Sequence, residues 1–250
     1  DNMEYYIPML RGYDAVSVVA TPIHFELLEA MHEAGVRLLS TRTIGYDHID
    51  MAAAKALGFT VCNAGYGPDA VADYTVMLML MALRNAKRVI QRADLHDFSM
   101  PGLMGRQLRS CTVGILGAGR IGARVMEELR GFGCRVIYWN RTSRPGLAGA
   151  QVSLETLYRE SDIISLHMPL TPETQHIISR DAMEKMKPGV ILVNTARGGL
   201  VDTQALIDAL ETGKVGGAAL DVVEGEAGLY HFNKMSDQIG NRALSILKDM

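Results

Sequence analysis

The sequence has 250 residues, 48% of them hydrophobic, and a formal net charge of −3. That length and composition suit one large or two modest domains with a proper core, and they exclude wholesale disorder. The weakly acidic balance speaks against nucleic acid as the main partner, because phosphate recognition asks for a basic face.

The opening residues, DNMEYYIPML, lack the basic start and small-residue cleavage site of a signal peptide. AVSVVA at 15–20 then reads as a strand, 25–34 as a helix, 36–44 as a strand, 51–57 as a short helix and 60–63 as a strand. One long helix is expected over 70–92, with Asp69 as its N-cap after Gly67 and Pro68. Its apolar run at 76–83, VMLMLMAL, is too short for the ~20 residues of a membrane span and reads as a buried helix segment, so no membrane partner is expected. A second series follows: strand VGIL from about 112, helix 120–130, strand 135–139, helix 154–160, strand 163–167, helix 179–186, strand 190–194, helix 203–211 and strand 218–223. Short, continuously apolar strands alternating with helices mean a parallel sheet covered on both faces. The expected architecture is therefore α/β with two domains, residues 1–70 and 71–250, joined near 64–75 around a cleft. The cysteines, Cys62, Cys111 and Cys134, are odd in number and form no CxxC pair. They read as reduced, mostly buried thiols of a cytoplasmic protein, and no metal site is expected.

VGIL runs directly into Gly117-Ala118-Gly119-Arg120-Ile121-Gly122. A bare GxGxxG is weak, but between a strand and a helix of a βαβ unit it becomes a dinucleotide-binding fingerprint. Gly117 suits the tight turn, Gly119 lets a pyrophosphate approach the backbone, and Gly122 lets helix and strand pack closely. The free N–H groups of the helix start then meet the negative charge. The alternative is a plain glycine turn. At the end of the next strand NAD-binding proteins usually carry an acid for the ribose hydroxyls. Here the sequence reads Asn140-Arg141, with Arg144 nearby. Without a carboxylate, and with guanidinium groups at hand, a 2′-phosphate would be tolerated or attracted. The expected cofactor is NAD or NADP, with the arginines as plain solvated loop charges the competing reading.

Six spaced segments in order, STRTIGYDHID (40–50), NAGYGPDAVAD (63–73), GAGRIG, HMPLTPET (167–174), NTARGGLVD (194–202) and ALDVVEGE (219–226), resemble the D-isomer-specific 2-hydroxyacid dehydrogenases. Within that family they are most similar to the D-lactate dehydrogenase branch, including the vancomycin-resistance type. The resemblance implies a Rossmann-type domain with a doubly wound parallel sheet, beside a smaller flavodoxin-like substrate domain. It also implies an oxidoreductase that reduces a small 2-oxo acid, pyruvate first, to the D-2-hydroxy acid. A bulkier branched-chain or aromatic 2-oxo acid is the close alternative, and a cofactor-sensing, non-catalytic scaffold the distant one. A homodimer through the cofactor-binding domain is implied as well.

Residue by residue, the resemblance makes Arg197 the group that binds the substrate carboxylate near its carbonyl oxygen. A planar fork with a fixed charge suits that task; from spacing alone, an arginine paired with a domain-face carboxylate was equally open. Glu226 matches the glutamate that raises the pKa of a catalytic histidine, and Glu224 reads as a surface acid. Asp221 matches the residue that orients the nicotinamide carboxamide, or is a strand-end acid bonding backbone amides. Met168, Pro169 and Thr174 match cofactor contacts, and Thr195 and Ala196 would lie against the nicotinamide. In the first domain Ile44 and Gly45 match backbone amides facing the substrate carboxylate, and Tyr66 a pocket tyrosine or hinge packing. The implied histidine, in a T-P-H context, has no match before Met250, 24 residues after Glu226. His231, in GLYHFN, reads as a loop side chain, His167 as structural, and His48 as packing near the edge of the first domain. The sequence is therefore expected to be part of a longer chain, short of substrate-domain residues at both ends; the alternative is a truly truncated chain that binds cofactor but lacks its proton donor.

Overall fold

The computed structural model describes residues 3–226 and Leu247. The chain divides into two compact units, Asp1–Gly67 and Pro68–Met250.

The first unit carries a three-stranded parallel sheet of β1 (Ala15–Val18), β2 (Leu38–Thr41) and β3 (Thr60–Asn63), in that order. Helices α1 (Phe25–Glu33) and α2 (Met51–Ala56) connect the strands. Val18, Ile23, Leu28, Met31, Val36 and Leu39 form its core. Strands β1 and β2 are shorter than the sequence pattern suggests. The Thr41 hydroxyl donates to the Val19 carbonyl at 2.9 Å, and the Thr43 hydroxyl to Gly45 O at 2.6 Å. These side chains take over from the ladder and turn the chain into the 43–48 loop, where His48 Nε2 bonds Thr41 Oγ1 at 3.2 Å.

The second unit opens with α3 (Asp69–Leu83) and α4 (Ala86–Asp94), two helices where one was expected. Asn85 is left-handed at φ +50, a conformation asparagine tolerates better than most residues. The segment 104–106 lies across the end of α3 and takes its last acceptor: Arg106 N–H donates to Leu83 O at 3.0 Å. The Asn85 amide also donates to Met104 O. Helix α3 buries Ala72, Thr75, Val76, Met79 and Leu83 but exposes Met77 and Met81, so the run at 76–83 is half-buried. Pro68, already helical, occupies the N-cap, and Asp69 pairs with Arg124 at 3.0 Å.

There follow β4 (Thr112–Leu116), α5 (Arg120–Leu129), β5 (Arg135–Trp139), β6 (Ala150–Gln151), α6 (Leu154–Glu160), β7 (Ile163–Leu166), α7 (Arg180–Lys185), β8 (Val190–Asn194), α8 (Thr203–Glu211) and β9 (Val215–Leu220). They build a six-stranded sheet in the order β6-β5-β4-β7-β8-β9, every pairing parallel. Strands β4, β7 and β8 are buried almost throughout because helices cover both faces, which explains their unbroken apolar runs. One cluster holds Leu116, Ile164, Leu192 and Leu206, the other Val76, Met79, Ile115 and Val125. β9 starts three residues earlier than expected and ends at Leu220, leaving Asp221 just beyond the strand. Among the described residues no helix is long and apolar enough to cross a membrane. All three cysteines are free; Cys111 is buried and Cys134 half-buried, but Cys62 is exposed, contrary to expectation.

Candidate active site

The strand order reverses between β4 and β7, the place where open parallel sheets leave a crevice at their carboxyl ends. The glycine loop lies there. Gly117 has φ +94, and a Cβ on it would stand 2.5 Å from the His167 carbonyl oxygen. A Cβ on Gly122 would stand 2.1 Å from Gly117 O. Both positions must be glycine because backbone meets backbone. Gly119 differs, since nothing lies within 4 Å of where its Cβ would be. Its neighbours Arg120, Ile121 and Gly122 open the ten-residue α5, whose first amides have no intrahelical acceptor. Open space over the positive end of a helix fits a dinucleotide pyrophosphate.

Asn140, after β5, does not point a free acceptor outward. Its Oδ1 accepts from the Ala118 amide at 3.1 Å, and its Nδ2 donates to Thr142 O at 2.9 Å. It ties the glycine loop to the neighbouring strand end. Arg141 is exposed, and its charge helps to hold the Glu173 carboxyl low, behind the hydrogen bond from Thr171. On the other side of the switch, Met168 is buried and Pro169 exposed. The Thr174 hydroxyl donates to Pro169 O at 2.8 Å and accepts from Thr171 N–H at 2.8 Å, so it closes its own turn. His167 Nε2 bonds Ser165 Oγ at 2.9 Å, and burial pushes its pKa down to about 4. A neutral ring at pH 7 accords with a structural histidine.

The loops after β8 and β9 form the second half of the site. Asn194 is buried, and its side chain braces the loop that follows. Its Oδ1 accepts from Ala196 N–H at 3.0 Å and its Nδ2 donates to Arg197 O at 2.8 Å. Arg197 therefore leaves a buried strand on a loop held by a side chain, and its own guanidinium donates to Ala196 O at 2.7 Å. Thr195 shares a 2.9 Å hydroxyl bond with buried Thr75 of α3. Asp221 N–H donates to Asn194 O at 2.9 Å, which locks the end of β9 to the end of β8. The Tyr74 hydroxyl bonds the Asp221 carboxylate; burial and then that negative charge push the phenol's pKa up.

Glu226 folds back on its own turn and accepts from Val223 N–H at 2.5 Å. Burial raises its carboxyl pKa and Asp221 adds to the rise, while the Val223 N–H and Arg197 oppose it. Asp221 and Arg197 thus both act electrostatically on Glu226 at one edge of the sheet. Glu224 is no free surface acid: its Oε1 lies 2.6 Å from His176 Nε2. Neither His176 nor the bracing by Asn194, Thr75 and Tyr74 is foreseen from the sequence. A lone histidine in TPETQHI carries no motif, and its partner is 48 residues away. In the first unit Ile44 O accepts from the Asn63 amide at 2.7 Å, Gly45 O accepts from Thr43, and Tyr66 is exposed. His231 lies outside the described residues.

Residues 76–239 match the NAD-binding domain of the D-isomer-specific 2-hydroxyacid dehydrogenases. The D-specific alpha-keto acid dehydrogenase of Enterococcus faecium is 46% identical over 228 residues, covering 91% of this chain and 70% of that protein. An aromatic 2-oxoacid reductase of Clostridium sporogenes is 39% identical, covering 96% of this chain and 74% of that one. Among solved structures, D-lactate dehydrogenase of Aquifex aeolicus, complexed with NAD and lactic acid, superposes with a TM-score of 0.88 at 35% identity. That match covers 97% of this chain and 74% of the other. The chain belongs to the D-isomer-specific 2-hydroxyacid dehydrogenases, oxidoreductases with an NAD-binding Rossmann domain.

Proposed function

We propose that the protein reduces a small 2-oxo acid to the D-2-hydroxy acid, with pyruvate to D-lactate as the leading reaction. The observation that carries this is Arg197, braced after β8 on a loop packed against the 223–226 turn of Glu226, whose pKa burial raises. Gly117, Gly119 and the first amides of α5 would hold a reduced nicotinamide dinucleotide, which would supply the hydride. Arg197 would bind the substrate carboxylate through two N–H groups, and its charge would stabilise negative charge developing on the carbonyl oxygen. The proton that completes the alcohol goes to that oxygen from a histidine partnered with Glu226, as the family resemblance implies. A carboxylate beside that histidine keeps it protonated near neutral pH. Asp221 would orient the nicotinamide carboxamide, Thr195 and Ala196 would face the ring, and Met168, Pro169 and Thr174 would hold the cofactor on the β7 side. Residues 1–70 act as the substrate domain, with Ile44, Gly45 and Tyr66 toward the substrate, and 71–250 as the cofactor domain.

Three finer readings accompany it. NADPH is accepted, because Asn140 is spent on Ala118 and Arg141 offers a cation for a 2′-phosphate. The protein is a homodimer through the cofactor domain, since Leu95, Phe98, Met100 and Met104 are all more than 70% exposed there. It works in the cytoplasm, where three free thiols stay reduced.

The test is turnover by the whole protein with NADH and NADPH, using pyruvate, 2-oxoisocaproate and phenylpyruvate, with chiral analysis of the product. D-lactate formed with the highest kcat/KM is the expected result. A higher kcat/KM for phenylpyruvate would transfer the assignment to a bulkier substrate, and no turnover of any 2-oxo acid would favour the scaffold reading.

A further inference from the structure

Three chain segments meet at the loop that carries Arg197. Residues 176–178 run beside 199–202: His176 N–H donates to Gly199 O at 2.9 Å, Ile178 N–H to Leu200 O at 3.0 Å, and Asp202 N–H to Ile178 O at 3.0 Å. The 221–226 segment presses on the same loop, for a Cβ on Gly198 would stand 2.2 Å from the Val223 carbonyl carbon and 2.5 Å from Glu224 N. The side-chain bond that spans the first and third segments is His176 Nε2 to Glu224 Oε1, 2.6 Å, with both side chains a little over one-third exposed. His176 is left-handed at φ +50, a conformation that persists in a non-glycine residue only when its surroundings hold it. Its N–H on Gly199 and its ring on Glu224 do so.

From this we propose that His176 and Glu224 form a latch that positions the Glu226 carboxyl relative to Arg197. His176 grips the Arg197 loop through its backbone and the Glu226 turn through its ring. Glu224 sits two residues before Glu226 and next to Val223, whose N–H fixes the Glu226 carboxylate. Both are positioning residues, and the proposal rests on the functional reading above. It separates the chain's two neighbouring acids: Glu226 serves the proton-transfer step, and Glu224 holds it in register.

The test is a double-mutant cycle in the whole protein with His176→Ala and Glu224→Ala, plus Glu224→Gln, which keeps an acceptor oxygen. Loss of register by about an ångström is enough to cost on the order of 10²-fold in a reaction rate. Each alanine variant is expected to lower kcat for pyruvate at least roughly tenfold and to shift the pH profile of kcat. The double variant should be no worse than either single, and Glu224→Gln should recover most of the loss. The NADH dissociation constant, read by energy transfer from Trp139, the one tryptophan of these 250 residues, should stay unchanged. Amide exchange should quicken at 221–226. Multiplicative losses, unchanged kcat, or NADH affinity that falls in parallel would overturn the latch. If the wild type reduces no 2-oxo acid, the functional reading fails, and exchange alone decides: unchanged rates at 221–226 in His176→Ala overturn the latch.

Discussion

The glycine loop after β4 and the loops after β8 and β9 stand at the same edge of one parallel sheet, yet they are built by different means. At the first, backbone packs on backbone: Gly117 against His167 O, Gly122 against Gly117 O. Only glycine satisfies such contacts, so the requirement is written into the sequence where it acts. At the second, backbone also meets backbone where Gly198 approaches Val223, but side chains do most of the holding. Asn194 braces the Arg197 loop, Thr75 reaches Thr195 across 120 residues, Tyr74 bonds Asp221, and His176 bonds Glu224. A backbone-made site is intolerant of any added atom. A side-chain-made site depends on partners drawn from distant segments.

This contrast can be tested, starting with the largest effect. Gly122→Ala drives a Cβ into a backbone oxygen that cannot move aside, and urea unfolding should show a loss of about 3 kcal/mol. Gly119→Ala meets no neighbour, so stability should change by less than about 1 kcal/mol, while affinity for NADH falls roughly tenfold because the methyl takes the open space. Equal stability losses in the two variants would refute the distinction.

The wall of the glycine loop should also carry a pH signature. Burial holds the pKa of His167 at about 4, below its unfolded value. Between those two values the unfolded chain binds a proton that the folded one refuses, so stability is full above the unfolded pKa and falls as the pH drops. The expected loss is about 2 kcal/mol between pH 7.5 and pH 5. In His167→Gln that part of the pH dependence should vanish; an unchanged slope would assign it to other groups. The smallest effect belongs to Arg141. Arg141→Ala should cut kcat/KM with NADPH by about fivefold to tenfold and leave NADH alone, as expected for one exposed charge-assisted contact. Comparable efficiency with both cofactors, unchanged in the variant, would sink the NADPH reading.

The same contrast explains what the sequence discloses. Strands β5 and β8 and helices α6 and α8 lie at their expected limits, because apolar period and local capping decide them; Ser153 and Asp202 cap α6 and α8 from within one turn. The break between α3 and α4 is hidden because its cause is remote: Arg106 takes the acceptor at Leu83. Arg197, Asp221 and Glu226 are legible through their motifs. Their supports are not, since Thr75, Tyr74 and His176 are ordinary residues until the fold brings them to their partners. Glu224 shows this most clearly, as an acid that looks solvated in sequence and is held by an imidazole in the structure.

The most direct test of the account is Arg197→Gln in the whole protein, assayed for both NADH affinity and pyruvate turnover. If the two ends of the sheet edge are separate constructions, the NADH dissociation constant stays within about twofold, while kcat/KM for pyruvate falls by roughly 10²–10³-fold with the loss of the charge on the developing oxyanion. Cofactor affinity and turnover falling together, or turnover surviving the substitution, would contradict it.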